Sequence, residues 1–156
     1  MKTAQRTNEE ARLEALRSYE ILDTAPEPLF DSLTELAAHI LSVSNAMIGL
    51  LDKDRLWFKA RTGIPALEVP RDSAFCKHVM EVGEPVLVVD ATEDGRAHDE
   101  GLVAGAAGVR FVASVPLIDK QGHLVGALAV ATRFTATTRA TGFTATTRFT
   151  STTRTT

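Results

Sequence analysis

The sequence has little of several things at once. It has one cysteine, Cys76, one tryptophan and one tyrosine in 156 residues. A lone cysteine excludes an intramolecular disulfide and any all-cysteine metal site. No apolar run reaches the roughly 18 residues that a membrane-spanning helix needs. Lys2 near the start is followed by no apolar core, so no secretory signal is expected. A cytoplasmic protein with no membrane partner is the reading that follows. Gly101, Gly105 and Gly108 are spaced by four and three, which is not a phosphate-binding glycine pattern. The first 130 residues lack a basic cluster. They carry 13 basic and 20 acidic groups, a balance of −7, which argues against a nucleic-acid-binding domain.

Residues 131–156 lack something else. They contain no acid and no Leu, Ile or Val, but four Arg, and half of them are Thr. The run Phe134–Arg139 recurs as Phe143–Arg148 and, with one change, as Phe149–Arg154. The offsets of nine and six residues are too short and too uneven for a solenoid. Three Phe cannot bury enough area to offset the ordering entropy, so residues 132–156 are expected to be a disordered low-complexity tail. A natural C-terminus replaced through a shifted reading frame is a second reading. A weak nucleic-acid tether is permitted by the spaced Arg and Phe but not indicated.

The first 131 residues read as one domain. Thr7 and Glu10 fit a capping box, which places a helix over about residues 8–20. Residues 23–28 break it. Pro28 opens a second helix over about 29–42, with an apolar stripe of Phe30, Leu33, Leu36, Ala37, Ile40 and Leu41. Strands are expected at 46–51, 55–62, 86–89, 110–118 and 123–130, with a short helix at 74–82. The stretch 90–108 is long for a plain connection, with one helical turn near 99–104. Helices first and hairpins after them point to an α+β fold, an antiparallel sheet with helices packed on one face.

The residues then take on a recognisable order. Ile21–Thr24, Pro26–Asp31, Asp52–Ala60, Pro70–His78, Val88–Ala91, Asp94–Arg96 and Val109–Leu117 are followed by Gly122 and Leu124–Gly126. Over residues 8–131 this set resembles a GAF domain of the bacterial sensory type. The resemblance implies a PAS-like antiparallel sheet of five to six strands, with helices on one face. It places a ligand pocket on the other face, under the 64–108 region. It implies a sensory role passed to a histidine kinase or diguanylate cyclase, in the same chain or a partner, and a homodimer. Two departures bear on the pocket wall: Val112 stands where the family often has Tyr, and Ser114 where it often has Gly. A third bears on output, because such domains usually end in a helix that pairs with the first one, and here the Thr/Arg segment takes its place.

Each candidate site residue has a structural reading beside the functional one. Cys76 admits bilin attachment, redox sensing or metal ligation, but a buried small apolar residue is the stronger reading. Cys76 and His78 sit at i and i+2, which point to different sides of a helix. No second thiol accompanies Cys76, which weighs against the GAF-type reductases of free methionine sulfoxide. His98 is the histidine of the pocket region, and solvated loop charge is its better reading. Trp57 and Phe58 are neighbours on a strand and face opposite sides, one under the helices and one toward the pocket. Phe75 and Phe111 add aromatic walls. Asp72 and Arg110 are polar anchors at the rim. Arg110 is equally suited to an ion pair with Asp90.

These residues lead to a non-enzymatic sensory module that binds a small molecule. The residues name neither the ligand nor a cofactor. The alternative is a GAF domain with a degenerate pocket that acts in dimerisation or partner docking.

Overall fold

Two helices precede six strands in the computed structural model of the chain, whose described residues are 2–71, 83–93 and 109–133. Helix α1 spans Lys2–Ser18 and α2 spans Pro28–Ile40. The strands are β1 (Asn45–Leu51), β2 (Arg55–Thr62), β3 (Glu68–Pro70), β4 (Val86–Val88), β5 (Phe111–Ile118) and β6 (Leu124–Thr132). They form one antiparallel sheet in the order β3-β2-β1-β6-β5-β4. The α+β architecture expected from the sequence is therefore present, with six strands.

Two local expectations need correcting. The helix does not start at the Thr7–Glu10 capping box. It begins at Lys2, and Thr7 lies inside it. Nothing between Lys2 and Asn8 is Gly or Pro, so no breaker separates the box from the residues before it. Strand β3 was not expected at all. It has three residues, pairs Arg55–Trp57 of β2, and offers only Val69 as an apolar signal. The expected helix at 74–82 and the turn at 99–104 lie outside the described residues.

Helix α2 starts as its sequence suggests. Pro28 is the first helical residue after Glu27, and it has no N–H to lose there. The helix ends at Ser42, whose φ of +50° reverses the chain while its N–H reaches the His39 carbonyl.

Side-chain alternation decides what the sheet buries on each face. Leu16 of α1 packs on Leu50 and Trp57, and Ala38 of α2 packs on Ala46 and Val130. Leu50 pairs with Trp57, and Ala46 with Val130, so all four lie on one face. Both helices therefore cover the same side. The other face carries two apolar clusters. Leu51, Leu56 and Phe58 form one, with Met47, Ile64 and Val69 against it. Val86, Val88, Val112 and Ala131 form the second with Ala91 and Val109.

A β-bulge interrupts the alternation. Ile48 pairs with Ala60 and Gly49 with Phe58, so Lys59 is the extra residue on β2. Lys59 keeps the helix side that it shares with Trp57, and the bulge brings Ala60, opposite Ile48, to that side as well. Next to the bulge, β1 and β6 approach closely. A Cβ added at Gly126 would meet the backbone of Gly49, so only glycine fits there.

Candidate functional site

The helix-covered face is fastened by charge. Lys59 is buried, and its Nζ donates to Thr24 Oγ1 at 2.7 Å and to the Ala25 carbonyl at 2.8 Å. It also pairs with Glu27 Oε1 at 2.7 Å, and the Phe30 ring lies 5.4 Å away. An ammonium has three protons to donate, and these three partners use them all. The segment joining α1 to α2 is thereby tied to β2. Arg55, at the start of β2, reaches Asp23 at 2.6 Å, Glu68 at 2.7 Å and Asp52 at 3.2 Å. Its guanidinium holds Asp23 below the usual carboxylate range.

Helix α1 has a fastening of its own. Arg12 is buried and grips Glu9 through two bonds of 2.9 Å. Its Nη1 also donates to the Leu51 carbonyl at 2.7 Å and the Leu124 carbonyl at 3.3 Å. Arg71, just after β3, reaches the same Glu9 at 2.6 Å. Hydrogen bonds from Arg12, with Arg71 adding to them against the opposing effect of burial, lower Glu9 to about 2. The cluster joins α1 to the ends of β1, β3 and β6.

The other face is built from small apolar groups. Gly49, Met47, Ala127, Ala129 and Ala131 lie on it, beside Val112 and Ser114 of β5. Ser114 is 2% exposed, and its Oγ has no hydrogen-bond partner among the described residues. A buried hydroxyl left alone costs about 1–3 kcal/mol. It sits between Val86 of β4 and Ala129 of β6 in the strand register. Among the described residues the two apolar clusters of this face stay separate, and Ala129 and Ser114 lie outside both. Val112 and Ser114, the two positions that depart from the family pattern, thus share this face.

The sequence candidates divide accordingly. Phe58 stands on the face away from α1 and α2, in the cluster with Leu51 and Leu56. Trp57 and Phe111 stand on the helix-covered face, Trp57 against Leu16 and Phe111 against the Ala38 cluster. Alternation puts Phe111 there because it pairs with Thr132, one step from Val112 and Ala131 on the opposite side. Arg110 forms the ion pair with Asp90, its Nε donating to Oδ1 at 2.9 Å. Thr92 donates to the same Oδ1 through its N–H at 3.0 Å and its hydroxyl at 2.7 Å. Arg110 first and Thr92 second hold Asp90 well below the usual carboxylate range. Asp72, Phe75, Cys76 and His98 lie outside the described residues. Ser114 was legible only as a departure from a pattern. Lys59 and Arg71 gave no local signal, since their partners lie far away in sequence, and Arg12 has only Glu9 nearby. Among the described residues no three His, Cys, Asp or Glu gather as a metal set, and no helix is long and apolar enough to cross a membrane.

The fold has counterparts among known proteins, and the sequence agrees with them. The chain belongs to the GAF domain family, whose profile matches residues 25–150. That match runs past β6 into the Thr/Arg segment. A cyclic di-GMP phosphodiesterase of Pseudomonas aeruginosa is 32% identical over 114 residues, which is 72% of this chain and 19% of that protein. The chain therefore spans about a fifth of that relative's length. Among solved structures, a GAF sensor protein from Burkholderia vietnamiensis has a TM-score of 0.58 at 19% identity, over 84% of this chain and 78% of that one. A free methionine-R-sulfoxide reductase from Neisseria meningitidis has a TM-score of 0.57 at 18% identity, over 69% and 62%. At those identities the structures speak for the fold alone.

Proposed function

We propose that this GAF domain is the sensory module of a cytoplasmic bacterial signal-transduction protein. It binds a small molecule on the face of its sheet away from α1 and α2. It acts as a homodimer and regulates a histidine kinase or a cyclic-di-nucleotide enzyme, in the same chain or a partner. The module is residues 1–131, with 132–156 a low-complexity tail, and it is not itself an enzyme.

One observation carries the ligand-binding part. Ser114 holds a hydroxyl without a partner among the described residues, buried among small apolar side chains, on the face that neither described helix touches. Apolar walls with a single well-placed polar group are the usual make-up of a small-molecule site. The relationship to a phosphodiesterase supports the regulatory part, since the matched region is only 19% of that protein.

A thermal-shift screen of the chain against a library of small metabolites tests the reading. Binding raises the melting temperature by mass action, and Ser114→Ala lowers that rise while leaving the unliganded protein folded. A screen with no stabilising compound counts against it. That outcome would favour the alternative, a domain with a degenerate pocket that acts in docking, which draws support from the exposed apolar residues of α2. Assay of free methionine sulfoxide reduction by the intact chain and by Cys76→Ala tests the non-enzymatic part. No turnover is expected from either.

A further inference from the structure

Helix α1 is held differently at its end and along its body. Past its last residue, Ser18, the chain is anchored firmly. Ile21 and Leu22 pack against Leu16, Leu50 and Trp57. Asp23 pairs with Arg55, and Thr24, Ala25 and Glu27 are bound by the buried Lys59. Glu20 and Asp23 have φ of +50° and +58°, the left-handed region that residues with a side chain seldom enter. The chain therefore turns sharply between the helix and its anchor.

The body of the helix is held lightly. From Asn8 onward, where its side chains are described, α1 buries only Arg12, Leu13 and Leu16. Two leucines are a small apolar seat for a 17-residue helix. The remaining fastening is ionic and centres on one carboxylate. Glu9 accepts from Arg12 at both oxygens, and its Oε1 also accepts from Arg71 Nη1 at 2.6 Å. The same carboxylate orients the Arg12 guanidinium toward the Leu51 and Leu124 carbonyls. Arg12 belongs to α1 itself, so Arg71 is the partner supplied from outside the helix. The Arg71 backbone N–H donates to the Asp54 carbonyl at 3.1 Å, and its Nη1 to the Lys53 carbonyl at 3.0 Å. Arg71 is thus fixed to the β1–β2 turn and to the end of β3. Val69 of β3 packs against Leu51, Leu56 and Phe58 on the face away from α1 and α2. Only Pro70, whose ring fixes φ, separates Val69 from Arg71. A short, stiff link therefore joins that face to the helix on the other side.

We propose that α1 releases from the sheet as a unit, turning about residues 19–23, and that the Arg71–Glu9 contact is the catch that holds it. Movement of β3 reaches α1 through this catch. An ion pair suits a releasable catch, because both charges are partly exposed and regain water when they part. A released α1 does not keep its backbone hydrogen bonds closed, since an isolated helix of this length is marginal in water. The catch gives the sensory reading above a moving part, and it does not depend on ligand binding, so either can fail alone.

Hydrogen exchange of the unliganded full chain, followed residue by residue by NMR, tests it. The amides from Ala11 to Arg17 are expected to share one protection, lower than that of β1, β2 and β6. Arg71→Met is expected to lower that shared protection about tenfold, the scale of one hydrogen bond between charged groups in a partly exposed setting. In a Glu9→Gln background the same substitution is expected to have little further effect. Protection that declines steadily from Arg17 toward the start of the helix, or that equals that of the sheet, overturns release as a unit. Unchanged α1 protection in Arg71→Met, or a full effect of Arg71→Met in the Glu9→Gln background, overturns the catch.

Discussion

Around β1 and β2 four cations, Arg12, Arg55, Lys59 and Arg71, tie helix α1, the α1–α2 segment and strand β3 to the sheet. Around β4 and β5 the described contacts are mainly apolar, Val86, Val88, Val112, Ala91 and Val109, with the Asp90–Arg110 pair at the margin. Hydrogen-bonded charge fixes geometry, because each partner has a direction as well as a distance. Contacts among small aliphatic groups fix it less, because no direction is prescribed. The β1–β2 half is thus built as a charged frame, and the β4–β5 half as an apolar side held by undirected packing. Ser114 lies on the apolar side, on β5, facing away from α1 and α2.

The sharpest way to break the frame is Gly126→Ala. The added methyl would press on the Gly49 backbone, which cannot step aside as a side chain can. A loss of about 3 kcal/mol is expected, as for an overpacked core, read as a fall in the urea midpoint. Lys59→Met comes next. It leaves Glu27, Thr24 and the Ala25 carbonyl without their donor, and about 2 kcal/mol is expected, since Glu27 is half exposed and can turn to water. Thermal melts of the variant should fall accordingly.

Glu9→Gln separates the ionic contribution of the frame from its packing. Glu9 titrates at about 2 rather than its ordinary 4.5. The stability it contributes is therefore present above its ordinary pKa and is lost as pH falls through the lowered one. The difference in melting temperature between wild type and Glu9→Gln should be constant at neutral pH. It should shrink below about 4.5 and vanish near 2. A difference that persists at pH 2 would mean that Glu9 acts through packing. Asp90→Asn is expected to have the smallest effect. The pair lies near the surface, with Arg110 41% exposed, and such pairs contribute little. A melting shift as large as that of Lys59→Met would contradict the division into a charged frame and an apolar side.

The sequence made some of this legible and hid the rest for physical reasons. Strands β1, β2, β5 and β6 stood out because uninterrupted apolar runs end in Asp- and Gly-bearing turns, such as Asp119–Gly122, where Gly122 takes φ +88°. Helix α2 was marked by Pro28 and an apolar stripe. That stripe mixed two faces, however: Ala37 packs on the sheet while Leu33, Leu36 and Ile40 are exposed. Periodicity reports an apolar side but not what covers it. Strand β3 owes its existence to pairing with β2 and had no pattern of its own. The placement of Trp57 and Phe58 on opposite sides followed from alternation, but the bulge that brings Ala60 to the helix side beside Lys59 did not. Partners such as Arg12 with Leu124, or Arg71 with Glu9, are 112 and 62 residues apart and leave no local trace. Of the site, the family pattern pointed at Ser114 and Val112. Only the strand register showed that both face away from the helices.

The central claim is that the face away from α1 and α2 receives a small molecule. Methyl NMR tests it face by face, because Ala127, Ala129 and Ala131 point to that side and Ala46 and Ala113 to the other. A stabilising compound from the metabolite screen is titrated into the labelled chain. The account predicts shifts concentrated in the Ala127, Ala129, Ala131 and Met47 methyls, reduced in Ser114→Ala. Shifts concentrated in Ala46, Ala113 and the α2 methyls would contradict it.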